Sequence, residues 1–260
     1  MTPLFMHMCS REAVSEKARE GYAAVVPLAA TEQHGPHLPI YTDSIICEHI
    51  AHEAGKRAAE QVRLMIAPML PIGCSDHHLR FGGTLSFSSA TYLQVLRDIG
   101  ESLVKDGFRK IIFLNSHGGN EPMMTQTAND LAVRHPVWTA SASYWSVAAD
   151  ALQRVNASEI GMVPGHAGGF ETAAVMALHP ESVARDRIGS SHVSRPWINS
   201  GPRGTFIGRH GELTGFDGYT DAAAGATAEK GALYLNAIVE SVAEWLIRTV
   251  RTMEEGERNG

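Results

Sequence analysis

Four short runs rich in apolar and β-branched residues, 23–29 (AAVVPLA), 62–70 (VRLMIAPML), 110–115 (KIIFLN) and the weaker 138–144 (WTASASY), alternate with longer stretches of helical periodicity. This alternation constrains the fold more than any other feature, because near-continuous apolar runs must be covered on both faces. Helices predicted over 42–61, 90–106 and 122–135 lie between the runs and supply that cover. Strand and helix in repeated alternation is the pattern of a parallel α/β layer structure, whose ligands gather outside the carboxyl ends of the strands.

A last amphipathic helix is predicted over 226–251, followed by a charged tail, EEGERNG, that reads as frayed. Residues 187–220 are rich in Gly, Ser, Arg and aromatic residues with little periodicity, and read as a long functional or subunit-contacting loop. With 260 residues, 44% of them hydrophobic, and no internal repeat or linker, a single domain over 1–260 is expected. A net charge of -6 argues against a nucleic-acid partner. Three cysteines, Cys9, Cys47 and Cys74, show no CxxC spacing, which points to a reducing cytoplasm rather than a disulfide framework. Neither a signal-peptide pattern nor an apolar run of about 18 residues is present, so no membrane association is expected.

The chemistry-bearing residues sit where the predicted strands end. After the first run comes TEQHGPHLPIYTD, residues 31–43. In an extended segment Glu32 and His34 point to the same side, so a carboxylate and an imidazole can approach one ion or two adjacent ions. Asp43 begins the next helix, where a helix-capping role competes with ligation. His37 is open to a supporting, substrate-facing or exposed reading. After KIIFLN comes Ser116-His117-Gly118-Gly119-Asn120, which lacks the GxGxxG and GxxxxGK[ST] phosphate patterns. His117 therefore reads as a metal ligand, with Gly118 and Gly119 letting the backbone approach substrate.

A third cluster, PGHAGGFET, places Glu171 in the first turn of a helix, where a dipole partner and a ligand are equally good readings. His166 precedes it by five residues and can serve as general acid or base. His77 and His78 are adjacent, and neighbours on an extended chain face opposite ways, so one at most is expected to reach the pocket, with His78 read as a pocket-wall or subunit-contact residue. Cys74 reads as a small packing residue rather than a nucleophile. Tyr144 and Trp145 could form an aromatic wall for substrate or simply pack.

Taken in order, TEQHGPHLPIYTD, the SxxHxxFxGTLS stretch from Ser75, NSHGGN, GHAGGFETA and ATAEKG resemble the creatininase (creatinine amidohydrolase) family along most of the chain. The resemblance implies a three-layer α/β/α sandwich around a mostly parallel sheet, commonly assembled as a homo-hexamer. It implies two divalent metal ions, zinc by expectation and manganese or iron by ligand type, held by Glu32, His34, Asp43 and His117, with Asp43 bridging. His166 matches the catalytic histidine. Creatininase proper carries a further metal-binding glutamate two residues after the histidine matched by His117; here that place is Gly119, and Glu171 is the candidate to complete the second site. Creatininase proper also encloses creatinine with a tryptophan and an acidic residue shortly before its catalytic histidine, where this chain has Met162, Val163 and Pro164.

The expected function is hydrolysis of an amide-type C–N bond of a small molecule, other than an ordinary peptide bond, by metal-activated water. His78, Gly118, Gly119 and Trp145 are the candidate substrate contacts. A formamide hydrolase or peptide-trimming member of the family is the alternative, and a non-catalytic metal-binding scaffold is the third reading.

Overall fold

A computed structural model describes residues 4–189, 205, 207–209, 214 and 217–259. Its sheet holds four parallel strands, β1 (Ala23–Leu28), β2 (Leu64–Ile66), β3 (Lys110–Asn115) and β4 (Trp138–Ser143), in the spatial order β2-β1-β3-β4. The chain steps from β1 to β2 on one side and then returns to place β3 on the other. The strand order therefore reverses between β1 and β3, the topological switch point at which such sheets bind ligands. Register aligns the carboxyl ends, with Leu28 opposite Asn115 and Asn115 opposite Ser143. The segments that follow β1 and β3 thus leave the sheet side by side.

Alternation along the strands feeds two cores. Ala23 and Val25 of β1 join Leu64, Ile66, Ile112 and Leu114 against helices α2 (Thr42–Ala59), α7 (Gly169–Leu178) and α8 (Ala228–Asn259). Ala24, Val26 and Leu28 join Met65, Ile111 and Phe113 against α1 (Arg11–Arg19), α3 (Ser89–Asp106) and α4 (Glu121–Arg134). Helices on both faces make the expected three layers, and all four described strands are parallel. Two short helices, α5 (Tyr144–Val147) and α6 (Ala149–Arg154), follow β4.

Two expectations about extent are corrected. The run over 62–70 yields only a three-residue strand, although Ala67 and Leu70 still donate to the carbonyls of Val25 and Pro27 at 2.8 and 3.0 Å. Pro68 and Pro71 supply no N–H, so the ladder cannot continue regularly. At the other end, the tail read as frayed is helical to Asn259. Buried Met253, the ion pair of Lys110 with Glu257 at 2.9 Å, and Gly256, whose missing side chain leaves room for the Trp138 ring, hold that last turn to the sheet. The segment 187–220 falls largely outside the described residues, and its expected role lies there too. No described helix is long and apolar enough to cross a membrane.

Candidate metal centre

The loop after β1 closes on itself through the Glu32 N–H donating to the Ile40 carbonyl at 2.8 Å. Asn120 ties three loops together at the base of the site. Its amide donates to the Ala29 carbonyl at 3.1 Å and accepts from the Cys74 N–H at 3.0 Å, while Asn115 binds the backbone of His117 on both sides. Ser116 Oγ donates to the Asp43 carbonyl at 3.0 Å, joining the β3 turn to the start of α2. Asp43 does not serve as the helix cap: Tyr41 occupies that position without a side-chain cap bond. The competing capping reading is set aside by this geometry.

Glu32, His34, Asp43, His117 and Glu171, drawn from four separate segments, converge in the interior, each 5% exposed or less. Three sets of donors lie within 4.8 Å of one another: Glu32, Asp43 and His117; His34, Asp43 and Glu171; and Glu32, His34 and His166. His34 Nε2 is 3.4 Å from Asp43 Oδ1 and 3.5 Å from Glu171 Oε2. His117 Nδ1 is 3.3 Å from both Glu32 Oε1 and Asp43 Oδ2. His166 Nδ1 is 3.5 Å from Glu32 Oε1. Asp43 thus offers one oxygen to each of the first two histidines.

The hydrogen bonds on the far side of each ring decide what these nitrogens carry. His34 Nδ1 meets the Glu32 carbonyl at 3.0 Å and His117 Nε2 the Cys74 carbonyl at 3.1 Å. His166 Nε2 meets the Gln33 carbonyl at 2.9 Å. A carbonyl only accepts, so each of those nitrogens bears a hydrogen, and in its neutral form each ring turns a lone pair toward carboxylate oxygens. Lone pair facing lone pair repels unless a cation intervenes. Glu32 Oε2, His34 Nε2 and Asp43 Oδ2 are correspondingly buried without a hydrogen-bond partner. Two donors about 2.1 Å from a tetrahedral ion lie about 3.4 Å apart, which matches these separations better than ordinary hydrogen bonds do. The residues fit a pair of divalent ions in a mixed nitrogen and oxygen setting.

The same demand for positive charge appears in the titration of the groups. Burial opposes charge on His34, yet the Asp43 and Glu171 carboxylates lift it to about 10. Burial likewise opposes charge on His117, and Glu32 and Asp43 outweigh it, raising the ring well above its usual value. Without a metal, a proton occupies the place of the cation. Glu171 goes the other way: burial, and then the neighbouring Asp43, push it up to about 8 against the pull of His34. His166 is kept neutral by burial and by the neighbouring His34. Glu171 Oε2 also accepts the Ala167 N–H at 2.6 Å just before α7, so the carboxylate that faces His34 serves the start of that helix as well.

Around this centre several expectations change. The segment holding His77 and His78 is a 3-10 helix, Asp76–Phe81, not an extended strand, so the two rings are not forced to opposite sides. His78 Nε2 reaches Glu32 Oε1 at 3.3 Å, while the His77 ring stacks on His117 at 6.0 Å. Both histidines therefore adjoin the site. Gly118 is exposed with open space where a side chain would be, as a substrate-facing backbone requires, but Gly119 has a packing role. A Cβ there would stand 2.2 Å from the Cys74 carbonyl and 2.5 Å from His117 Nε2. A glutamate at 119 has no room, whereas the Glu171 carboxylate already faces His34. Trp145 packs against the core on the α8 side and edge-on to buried Tyr144 at 5.1 Å; no described contact joins it to the candidate donors. His37 is buried, with Nε2 2.9 Å from Thr172 Oγ1.

Sequence reasoning missed Gln33 and Asp221. Gln33 is buried among His78, His166 and Gly218. Asp221 accepts from the Met162 and Gly169 N–H groups, each at 3.2 Å, and from Thr220 Oγ1 at 2.8 Å, gathering the loop that carries His166. A signal was present: any side chain at Gly161 or Gly168 would run into Asp221. These glycines make room for an anchor.

The Creatininase profile, described as creatinine amidohydrolase, matches residues 7–246. A mycofactocin precursor peptide peptidase of Mycobacterium tuberculosis is 30% identical over 63% of this chain, an alignment that spans only 61% of that relative. A creatinine amidohydrolase of Pseudomonas putida is 28% identical over 85% of this chain and 86% of its own length. A solved Bacteroides fragilis structure, provisionally described as a creatinine amidohydrolase, superposes with a TM-score of 0.78 at 30% identity, covering 96% of this chain and 97% of that one.

Proposed function

The chain belongs to the creatininase family of amidohydrolases, and from that premise we propose that it hydrolyses an amide-type C–N bond of a small molecule at a two-ion centre. The observation that carries the reading is the set of three ring nitrogens, on His34, His117 and His166, turned toward buried carboxylates at 3.3–3.5 Å while a main-chain carbonyl holds the other nitrogen of each ring. Glu32, Asp43 and His117 would hold one divalent ion and His34, Asp43 and Glu171 the other, with Asp43 common to both. Such ions lower the pKa of bound water and polarise a carbonyl; zinc is the expected metal, and manganese or iron suits the same donors.

The protein's own groups do the rest. His166 is the least enclosed of the candidate donors, its side chain 12% exposed, and its neutral Nδ1 faces the carboxylate of Glu32. It accepts a proton from the attacking water and returns it to the leaving nitrogen. Gly118 lets the substrate backbone or ring approach, and His78 stands beside Glu32 at the wall of the site. Met162, Val163 and Pro164 stand where creatininase proper uses a tryptophan and an acid, which weighs against creatinine itself. The likeness to a peptidase, together with that substitution, favours cleavage of a modified or terminal peptide bond as the second reading. Homo-oligomeric assembly as a hexamer comes with the family resemblance, and a cytoplasmic setting is the reading of the cysteine pattern; sedimentation of the purified protein tests the former.

The substrate class is decided by incubating the metal-loaded protein with creatinine, formamido compounds and short peptides while following creatine, formate and free amine. Turnover of any one of these that is lost in His166→Gln supports the assignment. Full activity in that variant, or no turnover across the panel with the metal sites filled, contradicts it.

A further inference from the structure

Four imidazoles surround the Glu32 and Asp43 carboxylates, and they do not present the same kind of atom. His34, His117 and His166 are fixed by main-chain carbonyls as lone-pair donors. His78 is fixed by a side chain. The Gln33 carboxamide has a settled orientation, because its Oε1 accepts the Gly35 N–H at 3.0 Å. Its Nε2 therefore carries two hydrogens among three neighbours, the Gly218 carbonyl at 3.0 Å, His78 Nδ1 at 2.7 Å and His166 Nε2 at 3.1 Å. Because His166 Nε2 donates its own hydrogen to the Gln33 carbonyl, the two are directed at Gly218 and His78. A ring nitrogen that receives an N–H must be unprotonated, so the hydrogen of neutral His78 sits on Nε2. That Nε2 faces the same Glu32 oxygen that His117 and His166 approach.

We propose that Gln33 is a positioning residue that keeps His78 out of the metal coordination shell by holding it as an N–H donor to Glu32. This rests on the metal reading of the site. The residue works from both of its polar ends. The main-chain carbonyl of Gln33 makes His166 a lone-pair donor, and its side-chain amide makes His78 the opposite. The carboxamide is itself pinned from outside the loop. Gly218 lies close enough that a Cβ there would be 2.1 Å from Gln33 Oε1, and its φ of +75° is a conformation that favours glycine. Residue 33 thus decides how many rings can ligate, and His78 steadies the Glu32 carboxylate as an outer partner does.

The test reads the proton directly. Imidazole nitrogen NMR on the full-length protein, with and without zinc, is assigned for His78 by loss of its signals in His78→Asn. The expected wild-type result is a protonated Nε2 and a bare Nδ1. Gln33→Glu, whose ionised carboxylate can only accept, is expected to move the proton to Nδ1 and to weaken zinc binding about 10–100-fold. Gln33→Met, which neither donates nor accepts, is expected to give a mixture of tautomers and a loss of affinity in the same range. A wild-type His78 protonated on Nδ1, or a His78 tautomer unchanged in both variants, overturns the proposal. Absence of zinc binding in the wild type would count against the metal reading alone, because the tautomer of His78 is read in the metal-free protein as well.

Discussion

His34 and His117 each aim one ring nitrogen at two carboxylate oxygens, an arrangement stable only with a cation, a metal ion or a proton, at that nitrogen. In the metal-free protein that cation is a proton, held on His34 up to about pH 10. Metal must displace it, so binding releases protons below that value and affinity rises with pH. Competition titrations at pH 6 and pH 8 are expected to show tighter binding at the higher pH; pH-independent affinity would contradict the ligand role of His34. Position 119 supplies a second residue-scale prediction. Gly119→Glu, which copies creatininase proper, forces a Cβ against the Cys74 carbonyl and the His117 ring. A loss of about 1–3 kcal/mol by denaturant unfolding is expected, with no gain in metal bound. The donors themselves were legible in the sequence, because Glu32, His34 and His117 follow predicted strands. Which nitrogen of each ring carries hydrogen was not, since it depends on carbonyls such as that of Cys74 from a different loop.

Among elements, the loop over 161–169 carries the most consequence for its length, because it delivers His166 and opens α7 with Glu171. Asp221, just upstream of α8, holds it through Met162, Gly169 and Thr220, and the Thr220 backbone adds a bond to the His166 carbonyl at 2.9 Å. Asp221→Ala removes the acceptor for these groups, and about 1–3 kcal/mol of stability should go with it. Turnover is expected to fall further than that loss alone explains, since His166 is no longer held; unchanged turnover in the folded variant would show that the anchor serves stability only. No periodicity could reveal this contact, because 52 residues separate Asp221 from Gly169. The adjacent histidines teach a related lesson. An extended backbone at 76–81 would part them, but the 3-10 turn brings both His77 and His78 to the site. Strand β2 is shorter than its apolar run because the ladder breaks at Pro68 and resumes only as an isolated bridge at Leu70, and α8 is longer than its pattern because its charged last turn finds Lys110 and Trp138.

Across the whole molecule, the sheet order places β1 and β3 as neighbours whose carboxyl ends are level, and the switch point between them holds the site. That architecture was readable from the alternation of runs, and the two helix-covered faces meet the expectation of three layers. Among the described residues, α2, α7 and α8 share one core with residues from β1, β2 and β3, and we propose on that ground a single domain. Limited proteolysis is accordingly expected to trim the ends without yielding a stable half. In our proposal the buried carboxylates and imidazoles hold two divalent ions and use them in hydrolysis. The most direct measurement is elemental analysis of the purified protein, before and after chelation, alongside His117→Ala and Asp43→Asn. About two transition-metal ions per chain are predicted for the wild type, fewer in both variants, with hydrolysis abolished by chelation and restored by metal. A protein that binds no transition metal, or that hydrolyses its substrate undiminished after complete chelation, contradicts the account.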